Sequence, residues 1–374
     1  MIIITQKNLF NALSLVESTV HKIGVSEYSQ AVLIQHFGEH LKFQTTNLHA
    51  STEAICQDFQ GNLENDVCVD FQDLFEIIKR YTAEEELTLA VKVVNDAKFL
   101  TLSKGNRSFA ELPTHNPEYF PKLLNIENED CEFRFNKEVL RTAIEKTHFC
   151  IYPNETRYNI NGLHFKFQSQ NKKIDVASTD GHRLAKFEIE DTTLKSDAKI
   201  TIPRSIVTGI KKDIHNAHNE IIFKIKGGTL QIHFGSHTLV TKLIDVDFPD
   251  YERIIPKDHN ATIKIQKPSF LQSLDRVQSI IQKNSTPEVV INFENNKLEM
   301  SCNDNQKKTK EVVDCEFEGN HLLKLNPSYL IECLQGISSK ELEILVKQGD
   351  GYYPIQIQDA EDKRFFYIVM PMTK

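Results

Sequence analysis

Ser178-Thr179-Asp180-Gly181-His182-Arg183-Leu184-Ala185 stands near the middle of the chain. Two runs of alternating polar and apolar residues flank it, Lys173-Ile174-Asp175-Val176-Ala177 and Lys186-Phe187-Glu188-Ile189. Alternation on both sides predicts two strands, and Asp180-Gly181 is the turn signal between them. A plain hairpin needs only the glycine. Here Asp, His and Arg crowd into four positions, so the turn carries chemistry as well as geometry. One reading makes Asp180 and His182 an acid/base pair with Ser178 as nucleophile. Their spacing on one turn is too tight for a base oriented by a third group. No Gly-x-Ser-x-Gly, P-loop or Gly-x-Gly-x-x-Gly occurs elsewhere.

A chain of 374 residues is long for one core and predicts two or three domains. No window holds eighteen apolar residues, so no membrane span or membrane partner is expected. Met1-Ile2-Ile3-Ile4-Thr5 lacks a basic region and reads as a first strand. The seven cysteines are scattered, odd in number and never in a Cys-x-x-Cys pair. That argues reduced thiols in a cytoplasmic protein, with no zinc site. The fourteen histidines show no metal-binding spacing, and no cofactor is implied.

Six amphipathic segments predict helices, at about 6–22, 71–81, 136–149, 203–215, 267–283 and 326–338. Pro203 and Pro327 stand where a first-turn proline belongs. The odd-numbered helices recur every 130 or so residues, and the even-numbered ones nearly so. That is a threefold internal repeat of domain size, far too long for a solenoid. Each unit reads strand, helix, several strands, helix, several strands. Lys and Arg against Asp and Glu give the six helices a net charge of +5. The whole chain carries −8, so everything outside the helices carries −13. Basic helices in an acidic envelope acquire a function if all six share one surface.

Repeat and motif together resemble the bacterial DNA polymerase III beta subunit, the replicative sliding clamp family. The resemblance covers the whole chain. It rests on Arg157-Tyr158-Asn159-Ile160-Asn161-Gly162, the central Ser178–Ala185 stretch, Phe248-Pro249-Asp250-Tyr251, Asn326-Pro327-Ser328-Tyr329-Leu330 and Tyr367-Ile368-Val369-Met370-Pro371-Met372. The first third departs most: Gln30-Ala31-Val32-Leu33-Ile34 replaces the apolar Leu-Pro-Ile-Leu type stretch. That departure bears on any DNA contact made by the loop at 24–29.

The resemblance implies an α+β DNA-clamp fold. Three similar domains, 1–125, 126–256 and 257–374, each pack two helices on antiparallel sheets. A head-to-tail homodimer then closes a ring, with helices lining a hole and sheets outside. It implies a clamp that encircles double-stranded DNA and tethers the replicative polymerase, and no enzyme activity. The alternative is a clamp-fold scaffold that binds partner peptides without encircling DNA; basic helices in an acidic chain speak against it. Lys7, Lys22, Lys79, Arg80, Lys137, Arg141, Lys146, Arg204, Lys211, Lys212, Lys267 and Arg276 are the expected inward cations, contacting phosphates without regard to sequence.

The central turn becomes one wall of a pocket for short peptides from the DNA polymerase III catalytic subunit, the clamp loader, other polymerases and repair proteins. The resemblance assigns to it Ile160, Thr179, Gly181, His182, Arg183, Leu184, Pro249, Ile254, Tyr329, Ile368, Met370, Pro371 and Met372. Arg183 and His182 are expected at the rim, satisfying peptide carbonyls. Asp180 is left as a turn residue. Edge strands at about 106–111 and 307–313 are expected to pair across the ring's joint. Arg107, Phe109, Lys307, Lys308 and Lys310 lie there, and Asp73, Glu76 and Glu84–Glu86 are placed to steer the basic set.

Overall fold

The computed structural model describes residues 1–21, 26–122, 125–154, 156–281, 287–304, 307–349 and 353–372. Lys22, Gly24 and Lys283, part of the sequence expectations above, lie outside the described residues. All six expected helices form: α1 Gln6–Val16, α2 Phe71–Ile78, α3 Lys137–Thr147, α4 Arg204–His215, α5 Lys267–Gln278 and α6 Pro327–Gly336. Five follow directly on a strand, and α6 follows one after the single residue Asn326. Thr5, Asp70 and Asn326 cap α1, α2 and α6 with side-chain oxygens that accept main-chain amides of the first turn. Pro327 opens α6 as expected. Pro203 instead ends the preceding strand, opposite Gly162, and α4 starts one residue later. A fixed φ suits the last extended residue as well as the first helical one.

The chain divides into two compact units, Met1–Leu140 with Ser205–Leu243, and Arg141–Arg204 with Ile244–Lys374. Each is built on one long antiparallel sheet. In the first unit the order is Cys131–Asn136, Glu220–Lys226, Thr229–His233, His237–Lys242, Ala50–Cys56, His40–Thr46, Ala31–Phe37, Val67–Asp70, Ser108–His115, Ala97–Lys104, Glu86–Val94, Ile2–Thr5 and Gln60–Gly61. In the second it is Ala198–Pro203, Gly162–Gln168, Lys173–Thr179, Arg183–Glu190, Phe365–Val369, Ile355–Asp359, Glu341–Val346, Ala261–Gln266, Lys307–Glu316, Lys297–Asp304, Val289–Glu294 and Asn320–Leu325. Inward apolar side chains cover α1 and α2 in the first unit: Leu9, Leu13 and Val16 meet Leu74, Phe75 and Ile78 among the strand residues. Full burial of such a side chain is worth about 1.5–3 kcal/mol, so the amphipathic faces read in the sequence fix the helices to the sheets.

The repeat is visible in the pairing. Thr238 lies opposite Glu53 and Leu239 opposite Thr52, joining the last strand of one repeat to the third-strand hairpin of another. In the second unit Phe366 lies opposite Lys186 and Tyr367 opposite Ala185 in the same way. Two strands of these same types are left half open. Ser108–His115 pairs with Ala97–Lys104 from Lys104 opposite Ser108 to Phe99 opposite Pro113, but among the described residues its other side is paired only at His115 and Thr114, with Cys68 and Val69. Lys307–Glu316 pairs with Lys297–Asp304 from Asp304 opposite Lys307 to Lys297 opposite Asp314, but among the described residues its other side is paired only at Glu316 and Cys315, with Lys264 and Ile265.

Candidate functional site

The Ser178–Ala185 stretch is a hairpin, with Ser178 opposite Ala185 and Thr179 opposite Leu184. Its turn is held from inside. The Asp180 carboxylate accepts the amides of His182 and Arg183 through Oδ1, at 2.9 and 3.1 Å. The Thr179 hydroxyl donates to the Arg183 carbonyl at 2.6 Å and accepts the Gly181 amide at 3.1 Å. Gly181 takes φ +90°, the left-handed region that glycine tolerates. A Cβ there would also stand 2.8 Å from the Arg157 guanidinium, which lies over Tyr152. Arg157, missed as a site residue in the sequence reading, belongs to the quoted Arg157–Gly162 motif that could have flagged it.

Arg183 corrects an expectation. It is not free to bind peptide carbonyls at a rim. Its side chain is buried, with Nε donating to Asp180 Oδ2 at 2.9 Å, Nη1 to Glu332 at 2.5 Å and Nη2 to the Phe149 carbonyl at 3.1 Å. The guanidinium lies over the Tyr329 ring, 4.1 Å from its centroid. The residue ties the turn to α6 and fixes where Tyr329 stands. His182 is exposed, and its carbonyl accepts the Met370 amide at 2.9 Å. That bond continues the pairing of Leu184 with Ile368 and fastens the terminal strand to the turn.

The apolar residues sort into floor and surface. Leu184 and Ile368 are buried in one cluster with Ala177 and Tyr251, and Phe248, Ile255 and Phe366 pack against it. They form the floor. Ile160 is buried as well. Ile254 at 50% exposure and Met370 at 44% are the open apolar surface, with Pro249 exposed and Pro371 and Met372 half-buried. The segment after Ile244 is pinned onto this floor by two contacts. Phe248 stacks on His164, with centroids 4.6 Å apart, and the Tyr251 hydroxyl donates to Asp175 at 3.2 Å. Burial first, then Lys199 and Lys166, push His164 down to about 4, so it is neutral at physiological pH. Its Nδ1 is within hydrogen-bond reach of the Thr201 hydroxyl, at 3.0 Å.

The same turn recurs at Thr46–Ala50 with different walls. Asn47 Oδ1 accepts the amides of His49 and Ala50 at 3.1 and 2.7 Å, and Leu48 stands at φ +71° in the place of Gly181. The Lys242 amide donates to the His49 carbonyl as Met370 does to His182. Ser51 and Lys242 thus stand where the central turn has Leu184 and Met370. The hairpin geometry is common to the repeat, whereas the apolar walls belong to one copy.

The expected cations divide by what holds them. Lys7, Lys79, Arg80, Arg204, Lys212 and Arg276 are exposed, and Lys211 is half-buried. Lys79 and Arg80 lie 2.8 and 3.8 Å from Glu76, Arg141 lies 2.9 Å from Glu145, Arg276 lies 2.6 Å from Glu311, and Lys212 pairs with Glu17. Arg204 donates to the Ile151 carbonyl at 3.3 Å. Lys137 donates to the carbonyls of His215 and Ala217 at 3.0 Å, and Lys267 donates to that of Ile337 at 2.5 Å. Each complements the C-terminal end of a neighbouring helix. Lys146 corrects the list. It is buried, its ammonium lies 3.7 Å from Asp362 and 4.0 Å from Asp359, and it sits over the rings of Phe365 and Phe187. A charge so enclosed cannot meet a phosphate.

At the half-open strands, Phe109 is 60% exposed, and Arg107, Lys307, Lys308 and Lys310 are exposed. Lys310 lies 2.7 Å from Glu299, and Asp73 and Glu76 lie on α2. Among the described residues no helix is long and apolar enough to cross a membrane, and no group of three or more His, Cys, Asp or Glu could hold a metal ion.

Family models match two thirds of this architecture: the central domain of the DNA polymerase III beta subunit over residues 134–250, and its C-terminal domain over 252–373. The chain belongs to the DNA polymerase III beta subunit family. The family's curated relatives include a beta sliding clamp from Proteus mirabilis, 26% identical over 291 residues and 77% of each chain. Another, from Caulobacter vibrioides, is 25% identical over 370 residues and 97% of each. A crystal structure of the sliding clamp from Caulobacter crescentus superposes with TM-score 0.91 at 22% identity, over all of this chain and 99% of the other. One from Pseudomonas aeruginosa, bound to griselimycin, gives 0.90 at 21% over 100% and 99%. The fold is therefore the DNA-clamp fold, mixed helix and antiparallel sheet, as the sequence resemblance implies.

Proposed function

We propose that this chain is a sliding clamp: two copies close head to tail around double-stranded DNA and tether the replicative polymerase for processive synthesis. The observation that carries the ring is the pair of half-open strands. Ser51, Leu184 and Lys308 hold equivalent places in the repeat, each facing Thr46, Thr179 or Asn303 across four intervening residues; Val240 and Ile368 stand in the third pair from the turn of the last hairpin and Glu111 in the fourth, and we take these three as equivalent. Val240 lies opposite Ser51, and Ile368 lies opposite Leu184. For the third pair, Glu111 with Lys308, no strand of the described residues pairs with either on its open side, so a second copy supplies the match. Phe109 then falls opposite Lys310 and Leu112 opposite Lys307. A head-to-tail joint closes when its rotation does, here after two copies.

Three clamp domains, 1–125, 126–256 and 257–374, follow from the repeat. Twelve helices then line the hole, with Lys7, Lys79, Arg80, Arg204, Lys211, Lys212 and Arg276 presented to phosphates in a sequence-independent, salt-sensitive way. The acidic exterior repels DNA. The floor of Leu184 and Ile368, rimmed by Ile254, Met370, Pro371 and Met372, receives short apolar peptides from the DNA polymerase III catalytic subunit, the clamp loader and repair proteins in the cytoplasm. Methionine adapts to several such partners. The clamp holds and positions these partners and performs no chemistry itself.

Retention on DNA tests the ring. Loaded protein is expected to stay on circular duplex and to run off linear duplex; equal retention on both argues against encirclement.

A further inference from the structure

The strand Asn320–Leu325 ends the twelve-stranded sheet and pairs along one side only, with Val289–Glu294. In an antiparallel strand the main-chain groups of alternate residues point to opposite sides. The Lys324 carbonyl points outward, because it accepts the Met372 amide at 2.8 Å. Leu322, two residues back, therefore directs its own amide and carbonyl to the same open side. Among the described residues nothing pairs with them there. Its side chain is 61% exposed.

The repeat makes this leucine anomalous. Leu322 lies opposite Asn292, and the equivalent place in the preceding repeat is Lys199, opposite Lys166. In the first repeat the same place holds Asp66, whose carboxylate accepts from Gln35 at 2.6 Å. Charged residues on an edge strand discourage a further strand from pairing. The Ala198–Pro203 edge keeps that guard at Lys199, the first repeat's Val67–Asp70 is no edge because it lies between Ala31–Phe37 and Ser108–His115, and the third repeat's edge carries an exposed apolar side chain instead. That third edge is also the one reached by Met372, at the rim of the proposed pocket.

We propose that the open edge at Leu322 is a strand-addition site continuous with the peptide pocket. An extended partner peptide leaves the apolar floor past Met372 and pairs its main chain with Leu322, covering that side chain with an apolar residue of its own. The proposal rests on the pocket reading given above. Main-chain bonds supply affinity in this mode, and the exposed leucine supplies the sequence preference.

Titration of the intact protein with two synthetic peptides tests it. Both come from the pocket-binding segment of the DNA polymerase III catalytic subunit; one is limited to the pocket residues and one is longer by four. Two added main-chain bonds at about 0.5–1.5 kcal/mol each predict about tenfold tighter binding of the longer peptide. Leu322→Pro removes the outward amide, which the neighbouring strand does not use, and should erase that gain while leaving the short peptide's Kd unchanged. Leu322→Asp, which keeps the amide, should reduce the gain by charge and lost apolar contact. Equal affinity for the two peptides, or a gain that survives Leu322→Pro, overturns the proposal. Failure of the short peptide to bind the wild-type protein overturns the pocket itself. Equal peptide affinities together with a self-association that Leu322→Pro abolishes in sedimentation would assign the edge to a second copy instead.

Discussion

The Arg183 guanidinium lies 4.1 Å from the centre of the Tyr329 ring while its Nε bonds Asp180 at 2.9 Å, and both charged side chains are buried. One residue thus joins the central turn to α6. Removing one partner of a buried ion pair costs about 3–5 kcal/mol, because the other charge is left without compensation. Arg183→Met is expected to destabilise the protein by about that much in thermal or urea unfolding. It should also weaken peptide binding, although Arg183 has no open hydrogen-bonding face toward a peptide. Met370→Ala makes the contrast: little change in stability, with peptide affinity reduced. Equal stability of Arg183→Met and wild type would remove the tie.

The proposed joint makes a charge prediction. Glu111 and Lys308 should face each other across both joints of the ring, and a cross-strand ion pair is worth about 0.2–1 kcal/mol. Lys308→Glu puts like charges opposite each other twice and should raise the dimer dissociation constant about tenfold or more at low salt. Glu111→Lys in the same chain should restore it. Sedimentation of the single and double variants separates this register from a general loss of basic charge, which the second substitution would not repair in a register-independent interface.

Leu48 carries the turn conformation that Gly181 carries in the central copy, at φ +71°, yet is 53% exposed. A leucine in the left-handed region costs about 1–2 kcal/mol. Leu48→Gly should therefore raise stability by about 0.5–1 kcal/mol after the extra chain entropy of glycine is subtracted. The reverse change, Gly181→Leu, should lower it by about 1–2 kcal/mol and displace Arg157. Urea midpoints at unchanged slope measure both.

Helices, strands and the threefold repeat were legible in the sequence because they are periodic: apolar residues every three to four positions fix a helix face whatever lies beyond it. Ends were less legible. The first helix, expected to reach Lys22, gives way after Val16 to a 3-10 turn, where Ser18 bonds Asp213 and the Thr19 hydroxyl meets Thr45 and Thr52. Those partners belong to other strands and another helix, so no local pattern announces them. Arg183 and Lys146 are the clearest losses. Glu332 is 149 positions from Arg183, and Asp359 and Asp362 come to Lys146 from the far end of the chain. A lysine on an amphipathic helix reads as solvated until folding brings carboxylates to it. The proposed peptide pocket rests on the resemblance, and the division between buried Leu184 and Ile368 and exposed Met370 and Ile254 follows from long-range packing that no local pattern announces.

His164 supplies the pH dependence. Its unfolded value is near 6.5 and its folded value about 4, with burial as the main cause and Lys199 and Lys166 behind it. The folded state therefore favours the neutral ring. The stabilisation is fully present above about pH 6.5 and is lost as pH falls toward 4, where the unfolded chain binds the proton more readily. The whole depression corresponds to at most about 3 kcal/mol. Asp359 acts in a lower window. Burial alone would raise its carboxyl, but hydrogen bonds from Ser339, Glu361, Ser338 and Asp362 outweigh it and hold it at about 2, so its contribution fades only below about pH 4. Because His164 carries Phe248, its protonation should loosen the segment over the pocket floor before Asp359 titrates. Stability measured from pH 7 to 4.5 should fall in the wild type and fall less in His164→Phe, with peptide affinity following the same pattern. A superimposable acid limb in the two proteins would exclude His164 as the group responsible.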